Sequence, residues 1–278
     1  MGIIDFILNL ACLLLWMGWR AFHYDPLNKR TPATLVGTLR RAAPSRWRRW
    51  HLLLIIAGLL FFRALFYWQI GAAAGWSGKI NLGLIALSFR SDWFDYILLF
   101  SVLSFTVTLG IFYLWLLLLS LLMGKSEQPT HRLVRMQLGW IDDWPRWAKI
   151  LSPLVTASLI WFALSWWLAW LGIIPQPVSM AHRIEAALLI GLGSYLGWKF
   201  VAAALLVLYL LNIYIYFGKN PLWNYVNLAA QKLITPLEKI PLRIGKVDFA
   251  PVVGIGLIFL ITEFAGRGLT WLYARLPF

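Results

Sequence analysis

The sequence predicts an all-α, polytopic membrane protein with about six transmembrane helices and with amphipathic interfacial helices in two cytoplasmic loops. Hydrophobic residues make up 61% of the 278 residues and charged residues only 13%. Such a composition requires lipid as the solvent for most of the chain. The Lys and Arg residues gather in alternate loops between the apolar runs, which is the charge pattern of a multi-pass protein.

The apolar runs, taken in chain order, define the predicted membrane helices. They are 3–19, 52–70, 94–123, 151–174, 186–217 and 251–272. The first run carries Asp5 and Asn9, and it lacks the basic start and the small-residue cleavage site of a secretory signal. We therefore expect this run to remain in the protein as its first membrane helix.

The later helices have their own sequence signals. Arg63 interrupts the second run, whereas the third run is unbroken and is preceded by a connector of small residues, 71–93. Pro153 lies near the start of the fourth helix, where a missing N–H costs little, and the turn at Pro175-Gln176-Pro177 follows it. The fifth run exceeds the ~20 residues that a bilayer needs, so we expect it to tilt or to begin with an interfacial turn.

The loop charges predict the orientation of the chain. The loops 20–50, 125–149 and 218–246 carry eight, five and five Lys or Arg residues, whereas 72–93 and 175–183 carry two and one. Because positive loops stay on the cytoplasmic side, we expect the first three loops inside and both termini outside. The net charge of +14 is accordingly interpreted as a topology signal, and we expect no nucleic-acid partner.

The stretch 220–251 is the most informative loop. Asn220-Pro221 is a typical helix start, because an N-cap side chain accepts a backbone N–H and proline fits the first helical position. Thr235-Pro236 predicts the end of that helix. Apolar residues between these signals recur at spacings of three and four, so we expect an amphipathic helix lying flat in the cytoplasmic interface. The stripe is Leu222, Val226, Ala229, Leu233 and Leu237.

The rest of this stretch predicts a short helical restart before Pro241, a turn at Gly245 and an N-cap around Asp248 that leads into the last helix. At these residues the sequence resembles the YggT family of small bacterial membrane proteins. The matching residues are Asn220, Pro221, Pro236, Leu237, Pro241, Gly245, Asp248 and Pro251. The resemblance covers roughly 200–275, and it implies a protein of the bacterial inner membrane that assists the assembly of other membrane proteins.

A weak internal repeat accompanies this resemblance. Asp25-Pro26-Leu27 parallels Asn220-Pro221-Leu222, and each follows a helix that enters from outside. The YggT family often carries two such units in tandem. We therefore predict a first YggT-like helix-loop-helix unit, an inserted helix pair with a basic cytoplasmic loop, and a second YggT-like unit. Their bounds are 1–71, 72–183 and 184–278.

Four charged residues fall inside the predicted helices: Arg63, Lys199, Glu263 and Arg267. Helix counting at about 1.5 Å per residue puts all four toward the outer half of the membrane. Glu263 lies at a depth similar to that of Arg63, so we predict that these two pair, with Arg267 as a second or alternative partner. The cluster is either functional or a structural pair between the repeats, and Lys199 and the arginines can also snorkel outward.

The sequence offers no catalytic, metal or cofactor signature. The chain carries no metalloprotease, hydrolase or phosphate-loop motif, so we expect no catalytic residue, no metal site and no cofactor. Asp142-Asp143 is interpreted as a solvated loop pair, and the single cysteine, Cys12, as inert. The four histidines are interpreted as polar anchors, with haem ligation as the alternative. They are His23, His51, His131 and His182.

We therefore expect a non-enzymatic integral membrane scaffold, assembly factor or subunit of a larger membrane complex. Its expected partners are membrane lipids and other integral membrane proteins. The alternative is an ion channel or a transporter-like protein with a role in osmotic or ion homeostasis. Against that alternative, the two repeats are parallel, and no predicted helix is broken near mid-membrane by a Gly/Pro pair.

Overall fold

The computed structural model describes residues 2–24, 47–74, 76–124, 130–215, 220–237, 243–244 and 247–276. Its α-helices are α1 (Gly2–Tyr24), α2 (Trp47–Ala74), α3 (Phe94–Met123), α4 (His131–Leu138), α5 (Arg146–Trp170), α6 (Met180–Gly193), α7 (Trp198–Tyr214), α8 (Pro221–Ile234) and α9 (Ala250–Ala274). Short 3-10 helices cover Gly139–Asp143, Ser194–Gly197 and Thr235–Leu237. The strands are β1 (Gly78–Asn81), β2 (Ala86–Phe89), β3 (Arg243–Ile244) and β4 (Val247–Asp248).

Within the described residues, six stretches are long and apolar enough to cross a membrane: Gly2–Ala21, Trp50–Gly71, Phe94–Met123, Arg146–Trp170, Met180–Ile213 and Ala250–Ala274. The predicted all-α, polytopic class is therefore confirmed. The third helix has the predicted bounds, 94–123, because an unbroken apolar run leaves little choice of where it begins and ends. The predicted interfacial helix of the first basic loop falls within 25–46, outside the described residues.

The chain forms two compact units. One comprises Met1–Ile80 with Ser88–Gly110, and the other comprises Asn81–Leu87 with Ile111–Phe278. Helix α3 contributes its first part to the first unit and its remainder to the second. The predicted division into two helix-loop-helix units and an inserted pair stays a prediction.

The first unit is built on the packing of α1 against α2. Its apolar core joins Cys12 of α1, Ile56 of α2 and Phe105 of α3, all of them buried. A second layer is aromatic: Trp76 packs with its ring centroid 4.5 Å from that of Tyr67 and 5.5 Å from that of Phe100. The thiol of Cys12 is thus part of a packed apolar core, where a cysteine behaves as a small hydrophobic residue.

The connector 71–93 contains a two-stranded sheet of β1 and β2, which the sequence analysis did not predict. The turn between the strands is closed by a hydrogen bond from Leu82 N to Ile85 O, 2.8 Å, and Gly83 adopts a φ of +88°. That backbone conformation favours glycine, because it lacks a Cβ. Buried and exposed residues alternate along both strands, because successive side chains of a strand point to opposite faces.

In the second unit, α5 and α6 pack against each other extensively. A Cβ placed on Gly191 of α6 would collide with the Ser158 hydroxyl and lie 2.7 Å from the Leu154 carbonyl oxygen. Small residues permit this approach of two backbones, as they do at interfaces between membrane helices generally. Elsewhere in the unit, α7 packs against both α8 and α9 around an apolar core.

The fifth membrane stretch differs from its prediction. It begins at Met180, capped by Ser179, and changes from α6 to α7 through the 3-10 segment Ser194–Gly197. Two tryptophans link this segment to α3: Trp115 Nε1 donates to Gly197 O at 3.2 Å, and Trp198 Nε1 donates to Leu114 O at 3.1 Å. The stretch thus begins six residues before the predicted start at 186, and contacts with a neighbouring helix stabilise an interruption that the sequence analysis did not predict.

We predict that Gly191→Ala lowers the free energy of unfolding by about 1–3 kcal/mol, because the added Cβ overpacks the contact between α5 and α6. Gly58→Ala is the matched control, since a Cβ at Gly58 has nothing within 4 Å and alanine favours a helix. Thermal unfolding of both variants in lipid nanodiscs checks this. Equal stability of the two would contradict the close approach of α5 and α6.

Candidate functional site

The first part of the motif at 220–251 forms helix α8, and this helix begins where the sequence predicted. The Asn220 side chain accepts a hydrogen bond from Leu222 N at 3.0 Å, and Pro221 is the first helical residue. The helix ends at Ile234, and Pro236 lies in the 3-10 segment that follows. Pro241 and Gly245 lie outside the described residues.

The end of the motif differs from its prediction in the residue that precedes α9. Asp248 lies in β4, paired with Arg243 of β3, and the residue that precedes α9 is Phe249, which makes no side-chain cap hydrogen bond. The predicted N-cap role of Asp248 was wrong because strand pairing continues to that residue. Pro251 is buried in the first turn of α9, where a proline needs no N–H donor.

Helix α8 buries the side on which its apolar stripe lies. Ala229 is fully buried, and Val226, Leu233 and Leu237 pack partly buried against the core of the second unit. Leu222, at the start of the helix, is 54% exposed. Much of the predicted stripe therefore packs against protein, together with Tyr225, Ala230 and Ile234, which lie outside it. Its position relative to a membrane surface stays a prediction.

A buried polar cluster lies beside α8, centred on Asp142, and we refer to it as the Asp142 cluster. It contains Ser120, His131, Arg135, Asp142, Lys149 and Tyr225. Asp142 is only 3% exposed, so its description as a solvated residue was wrong. Its neighbour Asp143 is exposed, in agreement with that description. The segment folds into α4 and a 3-10 turn, and this turn directs Asp142 inward.

The contacts within the cluster are short. Ser120 Oγ donates to Asp142 Oδ1 at 2.5 Å, and Lys149 Nζ donates to Ser120 Oγ at 2.7 Å while lying 3.6 Å from the same carboxylate oxygen. Arg135 Nε donates to Asp142 Oδ2 at 3.1 Å. One carboxylate therefore connects α3, α4 and α5.

Burial raises the pKa of Asp142, but the hydrogen bonds from Ser120 and Arg135 and the charges of His131 and Lys149 outweigh it, and the net pKa is lowered. His131 links the carboxylate to α8, because its Nε2 lies 3.3 Å from Asp142 Oδ2 and its Nδ1 lies 3.4 Å from the hydroxyl of Tyr225. Burial, with the nearby Asp142 charge, raises the pKa of Tyr225. His131 is therefore a buried member of a network, whereas the sequence analysis had interpreted it as a polar anchor.

A second polar network lies within the first unit, around Arg63, which is 1% exposed. Arg63 Nη2 lies 2.7 Å from Asp5 Oδ1, and Nη1 donates to Asn9 Oδ1 at 2.8 Å. The network also includes Ser104, which accepts from Arg63 Nη2 at 3.0 Å, and Tyr67, whose hydroxyl donates to Asp5 at 2.8 Å. Helices α1, α2 and α3 are joined by these contacts.

Asp5 is therefore the carboxylate partner of Arg63, the role that helix counting had given to Glu263. Glu263 instead accepts from Arg267 Nε at 2.8 Å on its own helix, in agreement with the predicted shared face. Lys199 Nζ lies 5.1 Å from the ring centroid of Phe200. The sequence signal for the partner of Arg63 was the presence of Asp5 and Asn9 one helical turn apart, on one face of an otherwise apolar run.

The two networks favour structure over chemistry. Ser120 and Lys149 resemble a nucleophile and base by residue type, but Ser120 is fully buried and Lys149 lies beside a carboxylate. In the described part of the chain, no grouping of three or more His, Cys, Asp or Glu side chains could hold a metal ion.

No family model, curated protein or solved structure matches the chain.

We predict that Asp5→Asn and Arg63→Leu each lower the free energy of unfolding by about 1–3 kcal/mol, because each leaves a buried polar partner unsatisfied. The double variant should recover part of the loss. Thr106→Val is the control, since it removes an exposed hydroxyl that bonds only within its own helix. Chemical unfolding in mixed micelles measures all four variants, and simple additivity of the two changes would show that Asp5 and Arg63 do not interact.

We predict that Asp142→Asn destabilises the second unit, whereas Asp143→Asn, the exposed neighbour, does not. The pKa of Asp142 is lowered below its ordinary value of 3.8. Its stabilising contribution is thus present above that ordinary value and is lost as the pH falls through the lower folded-state pKa. Melting temperatures measured over an acidic pH series should show this loss in the wild type. An identical acid dependence in Asp142→Asn would refute the assignment.

Proposed function

We propose that the protein is a non-enzymatic integral membrane scaffold, a subunit or assembly factor of a larger membrane complex. The observation that supports this most strongly is the Glu263–Arg267 pair of α9, whose side chains are 60% and 76% exposed within a membrane-spanning stretch. Ionisable residues inside membranes almost always face protein or a water-filled cavity. A further protein surface is thus expected to cover this pair in the working assembly.

The Arg63 network and the Asp142 cluster support the same proposal. In each, charges that are costly in a low-dielectric interior are paired by side chains from three helices. Such pairs fix the arrangement of helices. A rigid interior together with an uncovered charged outer face favours a protein that binds other membrane proteins.

An ion channel or transporter is the second candidate, and the 3-10 interruption at Ser194–Gly197 favours it. Interrupted helices supply backbone carbonyls as ion ligands in transporters. Here the carbonyl of Gly197 accepts from the indole of Trp115, and that of Leu114 accepts from Trp198. Of these two oxygens, that of Gly197 belongs to the interrupted segment, and because an indole donor binds it, this contact supports helix packing.

The location and orientation belong to the same proposal. The resemblance of 220–251 to the YggT family supports the bacterial inner membrane, and the loop charges support external termini. Maleimide labelling of single cysteines introduced at Asp92 and Asp143, both exposed, tests the orientation in intact cells. We expect labelling at residue 92 only; labelling at residue 143 would contradict the proposed orientation.

Two measurements on the full chain test the function. We expect the tagged protein, extracted from its native membrane in mild detergent, to migrate in native gels well above the 31.9 kDa of one chain, together with other membrane proteins. We also expect liposomes containing the purified protein to pass K⁺, Na⁺ and protons no faster than empty liposomes. Ion flux, or migration as a single chain, would contradict the scaffold.

A further inference from the structure

Helix α9 has two distinct faces. One face packs within the second unit, where Gly254 approaches Leu206 and Leu237 so closely that an added Cβ would lie 3.1 and 3.3 Å from their methyl carbons. From Gly256 onward most of the helix surface is exposed, and the residues on the side of the Glu263–Arg267 pair recur at spacings of three and four. We call this side of the helix its outer face. This outer face consists of Val252, Gly256, Phe259, Leu260, Glu263, Arg267, Thr270, Trp271 and Ala274.

The charged pair lies far from both ends of the membrane-spanning stretch. Glu263 is thirteen residues from Ala250 and eleven from Ala274, the two ends of the membrane-spanning stretch. At about 1.5 Å per residue, its Cα lies roughly 20 Å from the first end, close to the middle of the helix. A glutamate at that depth cannot easily reach water by snorkelling, because its side chain is short. The outer face is therefore unsuited to lipid alone.

We propose that the outer face of α9 binds the same face of a second copy of this chain, a step that rests on the proposed role as an assembling membrane scaffold. All copies insert with one orientation, so two α9 helices meet in parallel with equal residues at equal depth. Glu263 of one copy therefore lies level with Glu263 of the other, and the face is complementary to itself where Arg267 of each copy binds Glu263 of the other.

The geometry of the pair leaves groups for bonding across the interface. Within one helix, Arg267 uses Nε to donate to Glu263 Oε1. A guanidinium has further donors on its two Nη atoms, and a carboxylate has a second acceptor oxygen. Four residues of helix, about 6 Å, separate the two levels, and an extended arginine side chain reaches that far. Two copies thus form a four-residue network, Glu263 and Arg267 from each.

Gly256 supports close approach on the same face. A Cβ at this residue would have nothing within 4 Å, so its side of the helix is open. Small residues at such positions let two membrane helices approach each other. Both the charges and the glycine therefore favour a helix partner over lipid.

Cysteine cross-linking of the purified full chain in liposomes tests the proposal, with Cys12→Ala as the background. Leu260→Cys lies on the outer face and Ile261→Cys beside it, and the native side chains are similarly exposed, 54% and 62%. We expect a covalent dimer from Leu260→Cys and much less from Ile261→Cys. Equal cross-linking at the two positions, or none at Leu260→Cys, would overturn the proposal.

The charges are tested in the same assay. Glu263→Gln should weaken dimerisation by about three- to fifteen-fold, the range of a polar contact between membrane helices, and Glu263→Arg should weaken it further. The double exchange Glu263→Arg with Arg267→Glu restores one residue of each sign and should restore dimerisation. Unchanged melting temperatures of the variants exclude misfolding. Equal dimerisation of the wild type and all three variants would overturn the role of the pair.

A different partner gives a different result. Suppose that Leu260→Cys forms cross-links in native membranes only to another protein and that the purified chain forms none to itself. The proposal of a second copy as the partner is then wrong, while the scaffold proposal stands. If the purified chain dimerises through α9 but no larger assembly is found in native membranes, the dimer stands and the scaffold proposal is wrong.

Discussion

The constraint on which the structure depends is that lipid offers no hydrogen bonds, so each polar group within a membrane helix must find its partner in protein. Arg63 shows how this constraint organises helices. Its guanidinium binds Asp5 and Asn9 of α1 and Ser104 of α3, and it lies 5.1 Å from the ring centroid of Phe100. A buried arginine with fewer partners would be severely destabilising. The side chains that satisfy it therefore also fix the helices that carry them.

The second unit meets the same constraint near the ends of its helices. Asp142 lies in a short connecting segment, yet it binds Ser120 of α3 and, through His131, is linked to Tyr225 of α8. Helix α8 adds a contact of its own, since Lys232 Nζ donates to the carbonyl of Met123 at 3.4 Å. A positive group suits the C-terminal end of a helix, where carbonyls are unsatisfied. Connecting segments here are structural parts of the unit.

Helix α9 is where the constraint is not met within the described chain. Its inner face is packed, but the Glu263–Arg267 pair of its outer face is largely exposed. The pairing of two charges within one helix lowers their cost without removing it. This unmet requirement links the structure to a function in assembly, because association of helices is the ordinary way in which membrane proteins cover such groups.

The sequence by itself determined the features that depend on one segment at a time. Apolar length gave the six membrane stretches, and the Asn220-Pro221 start gave the first residue of α8, because length and capping are local properties. Only the tertiary structure decided that Arg63 pairs with Asp5, that Asp142 is buried and that the fifth stretch is interrupted at Ser194–Gly197. Each of these depends on how neighbouring helices are rotated about their axes. The period of a single helix gives the face of a residue but not the element opposite it, and therefore cannot name its partner.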